Sequence, residues 1–288
     1  MKTGLRSARW ILLSLACLGA VAQTFNSRVR LVDVYASVYD GAGKAVDGLA
    51  QERFQVLDNG KPQQLFSFES VSGDVTCAIL LDTTGSMRDS LASLRNGVGG
   101  LLDEMRPDDS VAIYTFSTAL DRIQDFTTDK AAAKRAVQRL RAGGATALYD
   151  AVAEVAEELS EKKGKKALVL FTDGADNSSR LLARAAADRA LKAGVTVYTI
   201  AEGDALHESK LLGQLQGLAD QTGGLCYKPH SPKEVAKVFV EIQAELKHVY
   251  MLSYKPPSDA DEAKWRTIQV QVKGGNFRIR GKQGYYPN

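Results

Sequence analysis

The sequence predicts an α/β protein: a doubly wound, mostly parallel sheet joined to a small β-rich domain built from the two ends of the chain. Two observations carry this prediction. Between residues 73 and 248, short apolar runs alternate with stretches of helical periodicity, whereas the flanking segments have the two-residue period of half-buried strands. At 288 residues, 44% hydrophobic and 25% charged, the chain is long and apolar enough for a packed core.

The amino-terminal flank, residues 23–72, has the pattern of several strands. Apolar and polar residues alternate from Val32 to Val38, and Phe54 to Leu57 forms a second strand-like run. Asp58-Asn59-Gly60 follows that run and is typical of a tight hairpin turn, after which Leu65 to Phe68 returns.

The central region, residues 73–248, supplies the predicted parallel strands. Its four apolar runs are nearly continuous, which is typical of strands covered by helices on both faces. Because the runs alternate with helical stretches, we expect right-handed crossovers and a doubly wound sheet. The runs are Cys77–Leu81, Val111–Phe116, Ala167–Phe171 and Val195–Ala201.

The carboxyl-terminal flank, residues 249–288, returns to strands. Met251 to Tyr254 and Ile268 to Val272 are strand-like, and Gly274-Gly275-Asn276 is a turn. Neither flank is large enough to bury a core alone. The first strand and the last helix of an open α/β domain lie near each other, so we expect the two flanks to pair into one domain.

Residues 1–22 have the pattern of an export signal. A basic start is followed by an apolar stretch and by Ala20-Val21-Ala22, a small-x-small cleavage site. The stretch is too short for a permanent membrane helix, so we expect an exported protein, periplasmic or secreted, with no transmembrane helix after signal removal. Ser14-Leu15-Ala16-Cys17 is similar to a lipobox and leaves anchoring through Cys17 as an alternative.

Removal of this segment also removes the excess of positive charge. It carries Lys2, Arg6 and Arg9, so 37 − 3 = 34 basic residues would face 34 acidic ones. The net charge falls from +3 to zero, and the sequence has no basic stripe. Nucleic acid is therefore not an expected partner.

A cluster of oxygen-bearing side chains follows the first apolar run. Asp82-Thr83-Thr84-Gly85-Ser86 stands at the carboxyl end of a predicted parallel strand, where such sheets bind ligands. Hydroxyl and carboxylate groups are hard ligands suited to Mg²⁺, Mn²⁺ or Ca²⁺. Taken alone, the same residues also fit a helix start with Asp82 as the N-cap.

The motif resembles the metal-ion-dependent adhesion site (MIDAS) of von Willebrand factor A (vWA) domains, which uses Asp-x-Ser-x-Ser with a distant Thr and a distant Asp. Thr84 stands where Ser is usual, and Thr146 and Asp173 lie in loops similar to the second and third loops of the family. The resemblance covers residues 73–248. It implies a site for one divalent cation, Mg²⁺ before Mn²⁺ or Ca²⁺, held by Asp82, Thr84, Ser86, Thr146 and Asp173.

The flanks resemble a particular branch of that family. The hairpin at Asp58-Asn59-Gly60-Lys61 and the terminal Gly284-Tyr285-Tyr286 are similar to the exported bacterial VWFA-related domain family. That likeness implies the domain arrangement more than a function.

The resemblance implies protein binding, as in cell adhesion. A metal held mostly by neutral hydroxyls keeps its charge, and a carboxylate from a protein partner can complete its coordination. Asp176 and Asn177 lie in the third loop and are expected either to cap that loop or to contact the partner. The alternative is a periplasmic scaffold or assembly factor in which the metal only stabilises the loops. Oligomeric state is not predicted.

Catalysis is not expected. A haloacid-dehalogenase-type phosphatase would need a second Asp at position 84, where this chain has Thr84, and no glycine-rich loop is followed by a phosphate-binding lysine motif. Asp150 has the position of a first-turn helix residue rather than a ligand.

Cys77 and Cys226 are expected to be free thiols. The sheet order of the vWA family places two strands between them, and strands about 4.8 Å apart then exceed the reach of a disulfide.

Overall fold

The computed structural model describes residues 31–71, 74–261 and 264–287. The predicted signal segment and the lipobox alternative at Cys17 lie outside these residues. The amino-terminal flank forms the strands β1 (Val32–Tyr39), β2 (Phe54–Asp58), β3 (Lys61–Gln63) and β4 (Leu65–Val71). Asn59 and Gly60 join β2 to β3 with positive φ angles of 48° and 77°, as a two-residue type I′ hairpin turn requires.

The central region forms one sheet in the order β10-β9-β8-β5-β6-β7, parallel except for the antiparallel pair β6 and β7. The four predicted apolar runs correspond to β5, β6, β8 and β9. Each strand covers its run, and β5, β6 and β8 extend one or two residues beyond it. The strands are β5 (Val75–Asp82), β6 (Ser110–Phe116), β7 (Leu120–Thr127), β8 (Lys165–Thr172), β9 (Val195–Ala201) and β10 (Cys226–Tyr227).

Helices cover both faces of this sheet, so the prediction of a doubly wound α/β fold is confirmed. One buried cluster joins the sheet to α1, α2 and α6, and a second joins the opposite face to α3, α4 and α5. None of the helices in the described part of the chain is long and apolar enough to cross a membrane. The helices are α1 (Leu91–Glu104), α2 (Lys130–Val137), α3 (Leu148–Ser160), α4 (Ala183–Lys192), α5 (Ser209–Thr222) and α6 (Pro232–Lys247).

The two flanks pair into one β-rich unit, as predicted. One sheet has the order β13-β1-β11-β4 and the other β14-β12-β2-β3, so each contains strands from both ends of the chain. A third buried cluster, including Val34, Val56, Leu252 and Tyr254, fills this unit. The carboxyl-terminal strands are β11 (Val249–Tyr254), β12 (Arg266–Val272), β13 (Arg278–Gly281) and β14 (Gly284–Tyr285).

The cysteines lie on β5 and β10, with β8 and β9 between them. Both are free thiols. Burial raises the pKa of the Cys77 thiol to about 12, so this group is a small hydrophobe rather than a nucleophile.

Candidate metal centre

The first loop of the candidate site follows β5, near the middle of the central sheet. Asp82 is the last residue of β5, and its side chain is buried. Its Oδ1 accepts hydrogen bonds from the backbone nitrogen of Thr84 at 2.9 Å and from Thr84 Oγ1 at 2.6 Å. The chain then makes a short 3₁₀ turn, and α1 begins only at Leu91. The alternative in which Asp82 is the N-cap of this helix is therefore wrong.

The third loop lies beside the first because β8 pairs with β5. Thr172, the last residue of β8, donates from its Oγ1 to the second carboxylate oxygen of Asp82 at 2.7 Å. Asp173 follows and accepts a hydrogen bond of 2.5 Å from Ser86 Oγ at its Oδ2. The hydroxyl oxygens of Thr84 and Ser86 are 3.2 Å apart. The structure thus brings Asp82, Thr84, Ser86 and Asp173 into one continuous cluster of oxygen atoms.

The second loop, residues 143–147, is bonded to both of the others. The backbone nitrogen of Gly143 donates to Thr83 O at 2.7 Å, and Asn177 and Ser178 donate to Thr146 O at 3.1 and 3.0 Å. Thr146 is buried, yet its hydroxyl makes no hydrogen bond within the described part of the chain. That oxygen is consequently available to a ligand, and the residue itself is tied to the third loop through its backbone nitrogen and oxygen.

Asp176 and Asn177 shape the loops. Asp176 accepts hydrogen bonds from the backbone nitrogens of Tyr149 and Ser179, at 3.1 and 3.0 Å, which ties the third loop to the start of α3. The Oδ1 of Asn177 accepts from the backbone nitrogen of Thr146 at 3.0 Å. These contacts fit the capping role; contact with a partner stays a prediction.

Asp150 lies in the first turn of α3, as expected, and accepts backbone hydrogen bonds from Arg180 and Leu181. The bond from Arg180 is the main cause that lowers the pKa of Asp150, with a smaller contribution from Leu181. Its carboxylate is therefore used to hold the third loop.

Two carboxylates of the cluster have no cationic side chain beside them in the described part of the chain. Asp82 and Asp173 are both buried, and in the described part of the chain neither has a Lys, Arg or His partner. Burial raises the pKa of Asp82, and the neighbouring charge of Asp173 adds to this, whereas hydrogen bonds from Thr84 and Thr172 oppose it. Because buried carboxylates are ordinarily paired or bound to metals, this arrangement suits a cation.

The donor set suits a hard divalent ion. Among the described residues no three His, Cys, Asp or Glu side chains gather as a metal cluster, so the cation would be held by two carboxylates and by hydroxyls. Such all-oxygen sets favour Mg²⁺, Ca²⁺ or Mn²⁺ over softer metals.

Sequence reasoning did not single out two residues near this site. Thr172 bridges β8 to Asp82, and Glu202, directly after β9, accepts a 3.4 Å hydrogen bond from Ser90 Oγ. Burial raises the pKa of Glu202. Both residues lie at the carboxyl end of a parallel strand, where polar groups from neighbouring strands come together. Their position after an apolar run was the one feature of the sequence that could have indicated them.

The sequence model of the von Willebrand factor type A domain matches residues 77–239. The chain belongs to this family, so the resemblance is confirmed.

Solved structures share the fold. A von Willebrand factor type A protein from Catenulispora acidiphila is 17% identical with a TM-score of 0.53, over 81% of this chain and 72% of that one. The conserved hypothetical protein BatB from Bacteroides thetaiotaomicron is 18% identical with a TM-score of 0.51, over 61% and 100%. The vWF domain of the type V pili tip protein Mfa5 from Porphyromonas gingivalis is 13% identical with a TM-score of 0.50, over 62% and 96%. Comparison with curated proteins gave no match.

Proposed function

We propose that this chain is an exported, non-enzymatic binding protein that captures a carboxylate of a protein partner through one divalent cation. The cation would be held by Asp82, Thr84, Ser86, Thr146 and Asp173. One observation carries the proposal: two buried carboxylates, with no cationic partner among the described residues, accept hydrogen bonds from the hydroxyls of Thr84 and Ser86 at the junction of three loops.

The chemistry of the ligands gives a reason why such a site would use its metal to bind a protein partner. Three of the five candidate ligands are neutral hydroxyls, so the cation keeps much of its positive charge. A small octahedral site favours Mg²⁺ over Ca²⁺, and Mg²⁺ commonly keeps positions for water or for ligands from another molecule. A partner carboxylate in such a position would bridge two proteins.

Catalysis has no support from the side chains at the site. Thr84 occupies the position where a phosphatase of the haloacid-dehalogenase type needs its acid/base Asp, and the side chain of Thr84 is already bonded to Asp82. Of the histidines, His248 pairs with Asp47 at 2.6 Å. Among the described residues at the site, none fits the role of nucleophile or of base.

Export rests on the sequence of residues 1–22 and on the kind of protein that shares the fold. Mfa5 is a pili tip protein, and another solved relative, from Bacteroides fragilis, is described as an aerotolerance-related membrane protein. On that basis we propose that this chain works in the periplasm or outside the cell.

The metal is the first thing to test. Protein stripped with EDTA is titrated calorimetrically with Mg²⁺, Mn²⁺ and Ca²⁺, and one site per chain is expected. Ser86→Ala should weaken binding at least about tenfold, the loss of one ligand of roughly 1.4 kcal/mol. Ser178→Ala, in the third loop but outside the candidate ligands, is the matched control. Equal affinities for the two variants would refute the assignment.

A second experiment tests whether the bound metal has a coordination position open to a partner, with Mn²⁺ as the probe and acetate as the simplest carboxylate. Acetate should lower the water-proton relaxivity of the Mn²⁺-loaded protein as it displaces bound water. The same titration on Ser86→Ala serves as the control. Tight Mn²⁺ binding with no response to acetate would favour the alternative, a scaffold in which the metal only stabilises the loops.

A further inference from the structure

A cleft of about 640 Å³ lies at the amino ends of the parallel strands, remote from the candidate metal centre. One side is formed by Lys166 near the start of β8 and by the turn between α4 and β9. The other side comes from β1 and from residues 282–287 of the β-rich unit. Its size is that of sites for small molecules, which typically measure about 300–1,000 Å³.

Three lysines bring positive charge into this cleft. The Nζ of Lys166 lies beside Gly194, which also lines it. The Nζ of Lys192, at the end of α4, is 5.5 Å from the ring centre of Tyr286, another lining residue. Lys282 enters from the segment between β13 and β14. The three ammonium groups come from separate parts of the fold, so local sequence does not reveal their convergence.

The negative charge in the cleft does not balance these lysines. Asp33 is the one carboxylate among the described lining residues, and its Oδ1 already accepts a 2.6 Å hydrogen bond from Ser253. Lys162 also contributes to the wall but is not counted, because its Nζ lies 4.4 Å from the ring centre of Phe126, a residue outside the lining. Three ammonium groups thus face one carboxylate.

Burial makes this imbalance costly for the protein alone. It lowers the pKa of Lys282 to about 8 and also lowers the pKa of Lys166, although the charge of Asp33 opposes both shifts. A bound anion would supply the charge that the cleft lacks.

Aromatic residues make the walls firm. Tyr286 packs edge-on against Trp265 with ring centres 5.2 Å apart, and the hydroxyl of Tyr285 is held by Asp58 at 2.8 Å. Both tyrosines line the cleft together with Tyr35. Such walls can pack against the carbon skeleton that separates the charged groups of an organic ligand.

We propose that this cleft binds a small organic anion with at least two phosphate or carboxylate groups, which pair with Lys166, Lys192 and Lys282. Lysine ammonium groups bind either kind of oxyanion as point charges. The site is separate from the metal centre and needs no metal.

The test is calorimetric titration of protein that has been stripped with EDTA and then dialysed free of both EDTA and divalent cations, so that neither the metal centre nor the chelator takes part. Pyrophosphate probes the phosphate source, citrate the carboxylate source, and neutral myo-inositol serves as the uncharged control. We expect saturable binding of one or both anions and none of myo-inositol. Saturation by pyrophosphate alone or citrate alone identifies the chemical group.

Single substitutions then locate the site. Lys166→Gln, Lys192→Gln and Lys282→Gln should each weaken anion binding at least about tenfold, since each removes a charge-assisted contact. Lys163→Gln removes the same charge from an exposed position outside the cleft and should change affinity less than twofold. Lys192 is exposed, so its variant keeps the fold even where replacement of Lys282 does not. No saturation by either anion, or equal losses in Lys192→Gln and Lys163→Gln, would overturn the proposal while leaving the metal centre untouched.

Discussion

Tyr285 donates a hydrogen bond of 2.8 Å to Asp58 Oδ2, and this contact joins residues 227 positions apart. Tyr254 donates to the same oxygen at 3.0 Å, and Arg266 Nε donates to Oδ1 at 2.7 Å. Asp58 is fully buried. One carboxylate of the amino-terminal flank is therefore satisfied entirely by three side chains of the carboxyl-terminal flank.

Asp58→Ala should destabilise the protein by about 3–5 kcal/mol, because it leaves the Arg266 guanidinium and two buried phenols without their acceptor. The measurement is the free energy of unfolding in guanidinium chloride. Asp259→Ala, which removes an exposed carboxylate of the same unit, is the control and should cost less than about 0.5 kcal/mol. Similar costs for the two variants would show that the Asp58 contacts contribute nothing specific.

A second buried carboxylate joins the β-rich unit to the last helix. Glu245 on α6 accepts a 2.6 Å hydrogen bond from the hydroxyl of Tyr39 on β1 and pairs with Arg280 on β13. The Arg280 guanidinium also lies 4.9 Å from the ring centre of Tyr39. Because the three groups share one network, we expect their contributions to be non-additive.

A double-mutant cycle measures this coupling. Tyr39→Phe should cost about 1.5–3 kcal/mol, as expected for a bond to a charged acceptor. Glu245→Gln should cost about 3 kcal/mol or more, since it leaves Arg280 unpaired. The coupling energy between them, from denaturant unfolding, should exceed about 0.5 kcal/mol. Simple additivity would contradict the network.

Lys165 gives stability a defined dependence on pH. Its Nζ donates to the carbonyl oxygens of Glu245 and Leu246 at 3.1 and 2.9 Å, near the end of α6. Burial lowers the pKa of Lys165 from 10.5 to about 7, although the charges of Glu245 and Asp109 oppose this. Between these two values the unfolded chain binds a proton that the folded chain lacks, so this group makes stability rise with pH from about 7 towards 10.5.

Lys165→Met isolates this effect from the other titrating groups. Unfolding free energies of both proteins are measured from pH 6.5 to 9.5. Over that range the wild-type value should rise relative to that of the variant, by an amount on the order of a few kcal/mol. Parallel profiles would mean that Lys165 keeps an ordinary pKa in the folded protein.

The sequence was informative wherever burial leaves a local pattern. Parallel strands covered on both faces appear as apolar runs, so β5, β6, β8 and β9 were predicted nearly to their ends. The edge strand β7 was missed because all of its residues are exposed or half-buried and its sequence is largely polar. Asp58 was recognised only as part of a turn, since the partners that bury its carboxylate lie about 200 positions away.

The candidate site shows the same contrast between features that local sequence reveals and features that depend on distant contacts. Its three loops were predictable because each adjoins a recognisable strand or helix and carries a matching motif. The hydrogen bond from Thr172 to Asp82 was not predictable, because it depends on the register between β5 and β8. The 3₁₀ turn that delays α1 until Leu91 was missed for a related reason: the local residues also fit an earlier helix start.

Metal removal should destabilise the folded protein, because Asp82 and Asp173 then lie buried without a counter-charge. Mg²⁺ at 100 times its dissociation constant would stabilise the fold by about 2.7 kcal/mol. For a protein of this size that corresponds to a rise in Tm of roughly 4–5 °C, measured by calorimetry in EDTA and then in excess Mg²⁺. Asp173→Asn removes one of the two charges, so its Tm should respond far less to Mg²⁺. Asp204→Asn, an exposed acid near the same edge, should retain the full response. Melting curves of the unmodified protein that coincide in EDTA and in Mg²⁺ would contradict a cation at these carboxylates.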